Sequence, residues 1–91
     1  QIRTLSPLHM EKSIEFYELR IAPGASLTSA PHYEGTKELL TITSGQGKLI
    51  SGENCTELSQ GDSAHYRADL SHAIENCGKK ELVCYLVVTS P

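Results

Sequence analysis

The chain has no apolar run near the roughly 20 residues that a membrane-spanning helix needs. It also lacks an N-terminal charged-then-apolar stretch of the secretory kind, so nothing points to export. Its three cysteines, Cys55, Cys77 and Cys84, are odd in number and form no CxxC pair. That excludes a disulfide framework and makes a reducing, cytoplasmic setting the simpler reading, with the cysteines serving as small hydrophobes. Excess positive charge is missing too. Eight basic residues against eleven acidic ones leave a net charge of −3, which argues against this segment gripping phosphates by itself. No helical period of useful length appears, and no internal repeat, low-complexity tract or linker interrupts the chain.

What is present is a series of short alternating segments closed by glycine-rich turns. Ninety-one residues with 38% hydrophobic content suffice for one core and leave no room for a second. The chain opens on Gln1 rather than Met, which suggests a piece of a longer protein with a missing N-terminal partner domain. Residues 2–12 read as a short extended segment and then a loop around Pro7, with His9 as an exposed polar residue. In residues 13–21, SIEFYELRI, Tyr17, Leu19 and Ile21 alternate with Glu18 and Arg20, the pattern of a half-buried strand. After the Ala22-Pro23-Gly24 turn comes a less regular ASLTSAP, then a strand-like HYE from His32 and a hairpin-length connection at residues 35–37. Residues 38–44, ELLTITS, place Glu38, Leu40 and Ile42 on one face and Leu39, Thr41 and Thr43 on the other. Segments KLIS, CTEL, SAHYR, HAIEN and ELVCYLVVT follow, with turns at Gly45-Gln46-Gly47, Gly52-Glu53-Asn54 and Gln60-Gly61-Asp62. Strands recurring every eight to twelve residues predict an all-β, antiparallel sandwich or barrel.

Two stretches concentrate the chemistry. In the first, residues 24–45, alternation puts His32 and Glu34 on one face, and a short loop brings Glu38 back beside them. In the second, residues 61–76, His72 shares a face with Ile74 and Asn76. Imidazole nitrogen with carboxylate oxygen is a mixed donor set suited to a divalent Zn, Mn, Fe or Ni ion. Two carboxylates facing one apolar interior repel each other, so the site calls for a metal, a cationic ligand group, a shared proton or an arginine. Tyr17, Tyr66 and Arg20 are candidate pocket liners, with core or surface positions as the alternative. His65 opposes the inward Ala64 and Tyr66 and is expected outside.

These stretches resemble the two motifs of the cupin family, and the resemblance covers nearly the whole chain. The first motif is Gly, five residues, His-x-His, three or four residues, Glu, six residues, Gly. His32, Glu38 and Gly45 fit it; Glu34 replaces the second histidine, and Gly24 stands two positions early. The second motif is Gly, five residues, Pro-x-Gly, two residues, His, three residues, Asn. Gly61, His72 and Asn76 fall in register, with Arg67 and Asp69 in the Pro and Gly positions. The resemblance implies a small double-stranded β-helix, a cupin-type jelly-roll barrel spanning residues 1–91. It makes His32, Glu38 and His72 ligand-type residues with Glu34 at the fourth position; with Tyr17 and Tyr66 from the strand pattern, these four are the expected lining of a ligand pocket. The phrasing of residues 16–50 and 58–76 is similar to the C-terminal sensor domain of bacterial XRE-type helix-turn-helix regulators. That likeness implies a non-enzymatic homodimer that senses a small effector, with DNA bound by an N-terminal helix-turn-helix domain absent here. A small metal-dependent cupin enzyme and an empty dimerisation module whose pocket is filled by side chains remain as alternatives.

Overall fold

Alternation of large apolar and polar residues, broken by glycine turns, produces strands throughout. The computed structural model describes residues 1–7 and 13–91, so the expectation for His9 lies outside the described residues. The strands are β1 (Ile2–Thr4), β2 (Ile14–Ile21), β3 (Ser26–Ser29), β4 (Lys37–Ser44), β5 (Gln46–Ser51), β6 (Asn54–Ser59), β7 (Ser63–Arg67), β8 (His72–Asn76) and β9 (Leu82–Thr89). They form a five-stranded sheet in the order β1-β2-β9-β4-β7 and a four-stranded sheet in the order β3-β8-β5-β6. Every registered pairing is antiparallel. The result is the all-β jelly-roll barrel that the turn spacing and motif register predict. No helix among the described residues is long and apolar enough to cross a membrane.

The inner face of the larger sheet fills in rows set by strand register. Leu19, Cys84 and Ile42 lie side by side across β2, β9 and β4. The next row is Tyr17, Leu86, Leu40 and Ala64, and the row after it is Glu15, Val88, Glu38 and Tyr66. The facing sheet contributes Leu49, Leu58 and Ile74 to the same core. Each such leucine or isoleucine contributes about 1.5–3 kcal/mol on burial. The barrel is therefore packed solid at one end, and Glu38 and His72 bring their polar side chains in at the other.

Two features of the first motif come out differently from the expectation. Residues 32–34 are not a strand: the backbone leaves β3, runs as a loop from Ala30, and turns at residues 33–36, where Thr36 N–H donates to Tyr33 O at 3.1 Å. The strand in this region is Ser26–Ser29, inside the stretch that reads as irregular, and it pairs with β8 rather than with β4. The physical reason is Pro31, which has no N–H to give a ladder, followed by Gly35 with φ of 86°. The segment is thus a crossing from one sheet to the other and not a hairpin. Gly45 behaves as the motif requires: its φ is 91°, and a Cβ there would stand 2.8 Å from the carbonyl oxygen of Glu81.

Among the cysteines, Cys84 is a buried core residue whose thiol is pushed up to about 11 by burial. Cys55 and Cys77 are exposed, so the small-hydrophobe role fits only one of the three.

Candidate metal centre and ligand cavity

Each side chain of the site is delivered by a different element. Glu38 sits at the inward position next to the start of β4 and is 3% exposed. His72 opens β8 in the facing sheet and is likewise buried. His32 comes from the crossing loop and keeps 44% of its side chain exposed. The Oε2 atom of Glu38 lies 3.3 Å from His32 Nε2 and 3.4 Å from His72 Nε2. The imidazole rings of His32 and His72 are 5.3 Å apart at their centroids.

Hydrogen bonding fixes the state of two of these groups. His72 Nδ1 stands 2.8 Å from the carbonyl oxygen of Leu70, which can only accept, so Nδ1 carries the hydrogen. Nε2 of the same ring is buried and has no hydrogen-bond partner among the described residues. Its 3.4 Å approach to Glu38 is an ionic contact without hydrogen-bond alignment. In a neutral ring that leaves a lone pair facing a carboxylate oxygen, which is repulsive until a second proton or a cation comes between them. The other oxygen of Glu38, Oε1, accepts from Tyr66 Oη at 2.6 Å. Burial first, then the charge and hydrogen bond of Glu38, hold the Tyr66 hydroxyl far above its ordinary value of 10.0, so it remains a donor.

A divalent metal fits this donor set. The three ligand atoms of His32, Glu38 and His72 lie within 4.8 Å of one another. The two measured separations of 3.3 and 3.4 Å agree with the roughly 3.3–3.4 Å between neighbouring ligands of a tetrahedral ion bound at about 2.0–2.1 Å. The orphaned Nε2 is aimed at the carboxylate that would share the ion. Tyr66 on Glu38 and the Leu70 carbonyl on His72 are the outer partners that orient such ligands.

Glu34 stands apart. It is exposed in the turn after His32 and does not join the three-residue group. The shared face on which its ligand role depends needed a strand at residues 32–34, and that segment is a loop. Its carboxylate instead adds to the electrostatic field on Arg67. Arg20 lies on the outer face of β2, paired with Glu81 at 2.9 Å and Glu18 at 3.2 Å, and lines no part of the site. His65 is exposed on the outer face, as alternation predicts.

The cluster opens into a cavity of about 260 Å³ lined by Tyr17, Leu27, Ser29, Ile74, Leu86 and Val88 together with His32, Glu38, His72, Glu15, Ile2 and Leu19. Among the described residues, no side chain fills this space. Tyr66 reaches the site through Glu38 rather than through the cavity wall. Glu15 escaped the sequence reading: it alternates with Tyr17 on one strand face, but only cross-strand register brings it level with Glu38. Tyr17 donates to Glu15 Oε2, and that bond, followed by burial, pushes its hydroxyl up to about 12.

The residues that replace Pro-x-Gly hold the His32 loop in place. His32 N–H donates to Ala68 O at 2.8 Å, and Ala68 N–H donates to Thr36 O at 2.8 Å. Gly35 N–H donates to Asp69 Oδ2 at 3.1 Å, while Arg67 Nε donates to Asp69 Oδ1 at 2.9 Å. Asn76, the last residue of the second motif, is a clamp of another kind. Its amide donates to Ile21 O and Lys80 O, each at 2.9 Å, and accepts from Gly78 N–H at 2.9 Å.

Comparison with known proteins places this architecture. In structure the chain is similar to the Cupin_2 domain of an XRE family transcriptional regulator from Enterobacter cloacae, with TM-score 0.92 and 21% identity over 100% of this chain and 96% of that one. It is similar to an HTH_3 family transcriptional regulator from Vibrio cholerae, with TM-score 0.89 and 26% identity; all but 1% of this chain is covered but only 50% of the regulator, so the chain spans half its length. A candidate sugar phosphate isomerase from Acidithiobacillus ferrooxidans ATCC 23270 aligns at TM-score 0.72 and 22% identity, over 88% of this chain and 52% of that one. No match was found among curated proteins. The family model for the cupin domain matches residues 17–89, which takes in both motifs and every strand from β3 to β9, and the chain belongs to the cupin family.

Proposed function

We propose that this chain is the effector-sensing cupin domain of a bacterial, cytoplasmic transcriptional regulator. It works as a homodimer, and DNA is held by a helix-turn-helix domain outside these 91 residues. The observation that carries the reading is the cavity of about 260 Å³ beside a buried His72 nitrogen with no hydrogen-bond partner among the described residues. Such a volume falls just under the roughly 300 Å³ at which clefts for drug-sized molecules begin, so it suits a small metabolite. An amino acid or a sulfur metabolite is the effector class. Similarity to the cupin domains of XRE and HTH_3 regulators supports the regulatory setting.

His32, Glu38 and His72 would hold a divalent ion, which would supply a Lewis-acidic centre for an oxygen or sulfur donor of the effector. The remaining work belongs to the chain. Tyr66 holds the Glu38 carboxylate, the Leu70 carbonyl sets the His72 ring, and Leu27, Ile74 and Leu86 exclude water from the effector's body. The effector shifts the regulator between states only by its differential affinity for them, so its contact must reach a part that moves. His32 is the one of the three that comes from the crossing loop, so the contact would be passed on through the unit that this loop forms with residues 67–69.

Elemental analysis of the purified chain and of His72→Ala tests the metal, and a thermal-shift screen of small metabolites tests the effector. The expected outcome is one bound divalent ion, lost in His72→Ala, and a stabilising metabolite. Equal metal content in both proteins sinks the ligand assignment, and a screen without a single stabilising compound sinks sensing. A metal-dependent enzyme is the second reading, favoured by the half-exposed His32, which leaves the ion open to substrate, and by the likeness to the candidate isomerase. Turnover of a sugar phosphate by the metal-loaded chain would establish it instead.

A further inference from the structure

The cavity has a second polar end. Glu15 and Glu38 occupy the same cross-strand row on the inner face of the larger sheet, each opposite Val88 of β9. With strands about 4.8 Å apart, their backbones are separated by roughly 10 Å with one valine between. Both carboxylates line the same cavity. Each also accepts a hydrogen bond from a tyrosine on the same face: Tyr66 on Glu38 and Tyr17 on Glu15. There the likeness ends. Glu38 faces two histidines, whereas Glu15 is solvent-exposed and has no cationic partner among the described residues. Leu27, Ile74, Leu86 and Val88 form an aliphatic wall along the same cavity.

We propose that Glu15, oriented by Tyr17, is a cation-accepting subsite, so that the cavity takes a short aliphatic molecule with an ammonium group at the Glu15 end and a carboxylate at the His32–Glu38–His72 end. This rests on reading the cavity as the effector pocket and deepens that reading by naming which functional group goes where. The Tyr17 hydroxyl stays protonated at neutral pH and is committed to Glu15 Oε2, which among the described residues leaves Glu15 Oε1 as the acceptor for an ammonium donor. An ion bound by two neutral imidazoles and one carboxylate keeps a positive charge and attracts the opposite end of the ligand. The aliphatic wall accepts the methylenes between the two ends. A ligand reversed in the cavity would set carboxylate against Glu15 and ammonium against the ion, which like-charge repulsion forbids.

Three probes of equal chain length separate the two ends: 4-aminobutyrate, butyrate and butylamine, each titrated by calorimetry into the chain with and without added ZnCl₂. In wild type with zinc, 4-aminobutyrate binds more tightly than either probe that lacks one end. Glu15→Gln weakens 4-aminobutyrate and butylamine on the order of tenfold, the cost of one charge-assisted hydrogen bond, and leaves butyrate unchanged. The melting temperature of ligand-free Glu15→Gln confirms that the variant is folded, as its exposed position leads one to expect. Equal affinity for butyrate and 4-aminobutyrate in wild type overturns the proposal, as does a Glu15→Gln variant that binds butylamine as wild type does. If zinc does not bind, the metal reading fails alone, because the butylamine comparison in the zinc-free protein still decides the Glu15 subsite.

Discussion

His72 shows how a single side chain can define a site. Its Nδ1 hydrogen is fixed by the Leu70 carbonyl, so its Nε2 lone pair must face the Glu38 carboxylate or be satisfied by a proton or an ion. Glu38 in turn is held by Tyr66, and this makes Tyr66 a positioning residue whose effect can be measured apart from folding. Tyr66→Phe keeps the ring beside His72, where the centroids are 6.0 Å apart, and removes only the 2.6 Å hydrogen bond to Glu38. The expected cost is about 1–2 kcal/mol of stability and roughly 10–100-fold in metal affinity, read by chelator competition. Unchanged zinc affinity in a folded Tyr66→Phe would remove Tyr66 from the site. Asn76 gives the opposite expectation, since its three hydrogen bonds tie the β8–β9 turn to the end of β2, away from the cavity. Asn76→Ala is expected to cost about 2–4 kcal/mol in chemical denaturation while zinc affinity stays the same. The sequence marks both histidines and this asparagine equally, as members of motifs. Only the packing separates a residue that binds from one that clamps.

At the scale of elements, the crossing loop and the β7–β8 turn act as one unit. Residues 32–36 are stitched to residues 67–69 by two backbone hydrogen bonds through Ala68 and by the Asp69 carboxylate. The Arg67 hydrogen bond, then the Gly35 N–H, hold the Asp69 carboxyl below its ordinary value of 3.8 despite some opposing burial. A carboxyl whose folded value is depressed stabilises the fold above its unfolded value and loses that contribution as the pH falls through the folded one. The stability lent by Asp69 is therefore complete above about pH 4–5 and fades in more acid solution. In Asp69→Asn this part of the acid dependence is expected to vanish. Melting temperatures taken from pH 6 down to pH 2 check it, and parallel curves for the two proteins would show that Asp69 does not brace the loop. This unit is also where sequence reading and structure part. Periodicity located β2, β4, β7, β8 and β9 well, because apolar alternation follows burial directly. It misplaced residues 32–34, where Pro31 and Gly35 override a His-x-Glu spacing that looks extended, and so put Glu34 on a face that does not exist. It passed over Glu15 because an exposed acid on a strand carries no sign of the cavity beside it; only cross-strand register brings it level with Glu38.

For the whole molecule, the division of the barrel into a packed end and a polar end sets how binding and stability are linked. Rows built on Leu19, Cys84, Ile42 and Leu40 are already dense without a ligand, each of the four being 1% exposed or less. A metal bound at the other end would therefore have little folding left to induce and would act by mass action, adding RT ln(1 + [M]/Kd) to the stability. A zinc concentration a hundredfold above Kd would add about 2.7 kcal/mol. In a chain of 91 residues, each kcal/mol moves the melting temperature by about 4–8 °C, so stripping the metal with EDTA is expected to lower it by roughly 10–20 °C. Such a protein melts lower but remains folded at room temperature, unlike a zinc finger, which has no comparable core and unfolds without its ion. His72→Ala is expected to show the lower melting temperature with or without EDTA, so the difference between the two conditions disappears. Calorimetry of both proteins under both conditions completes the comparison. Complete unfolding of the wild-type chain by EDTA at 25 °C would mean that the ion builds the barrel, and would contradict the separation of core from site on which the proposed sensing role depends.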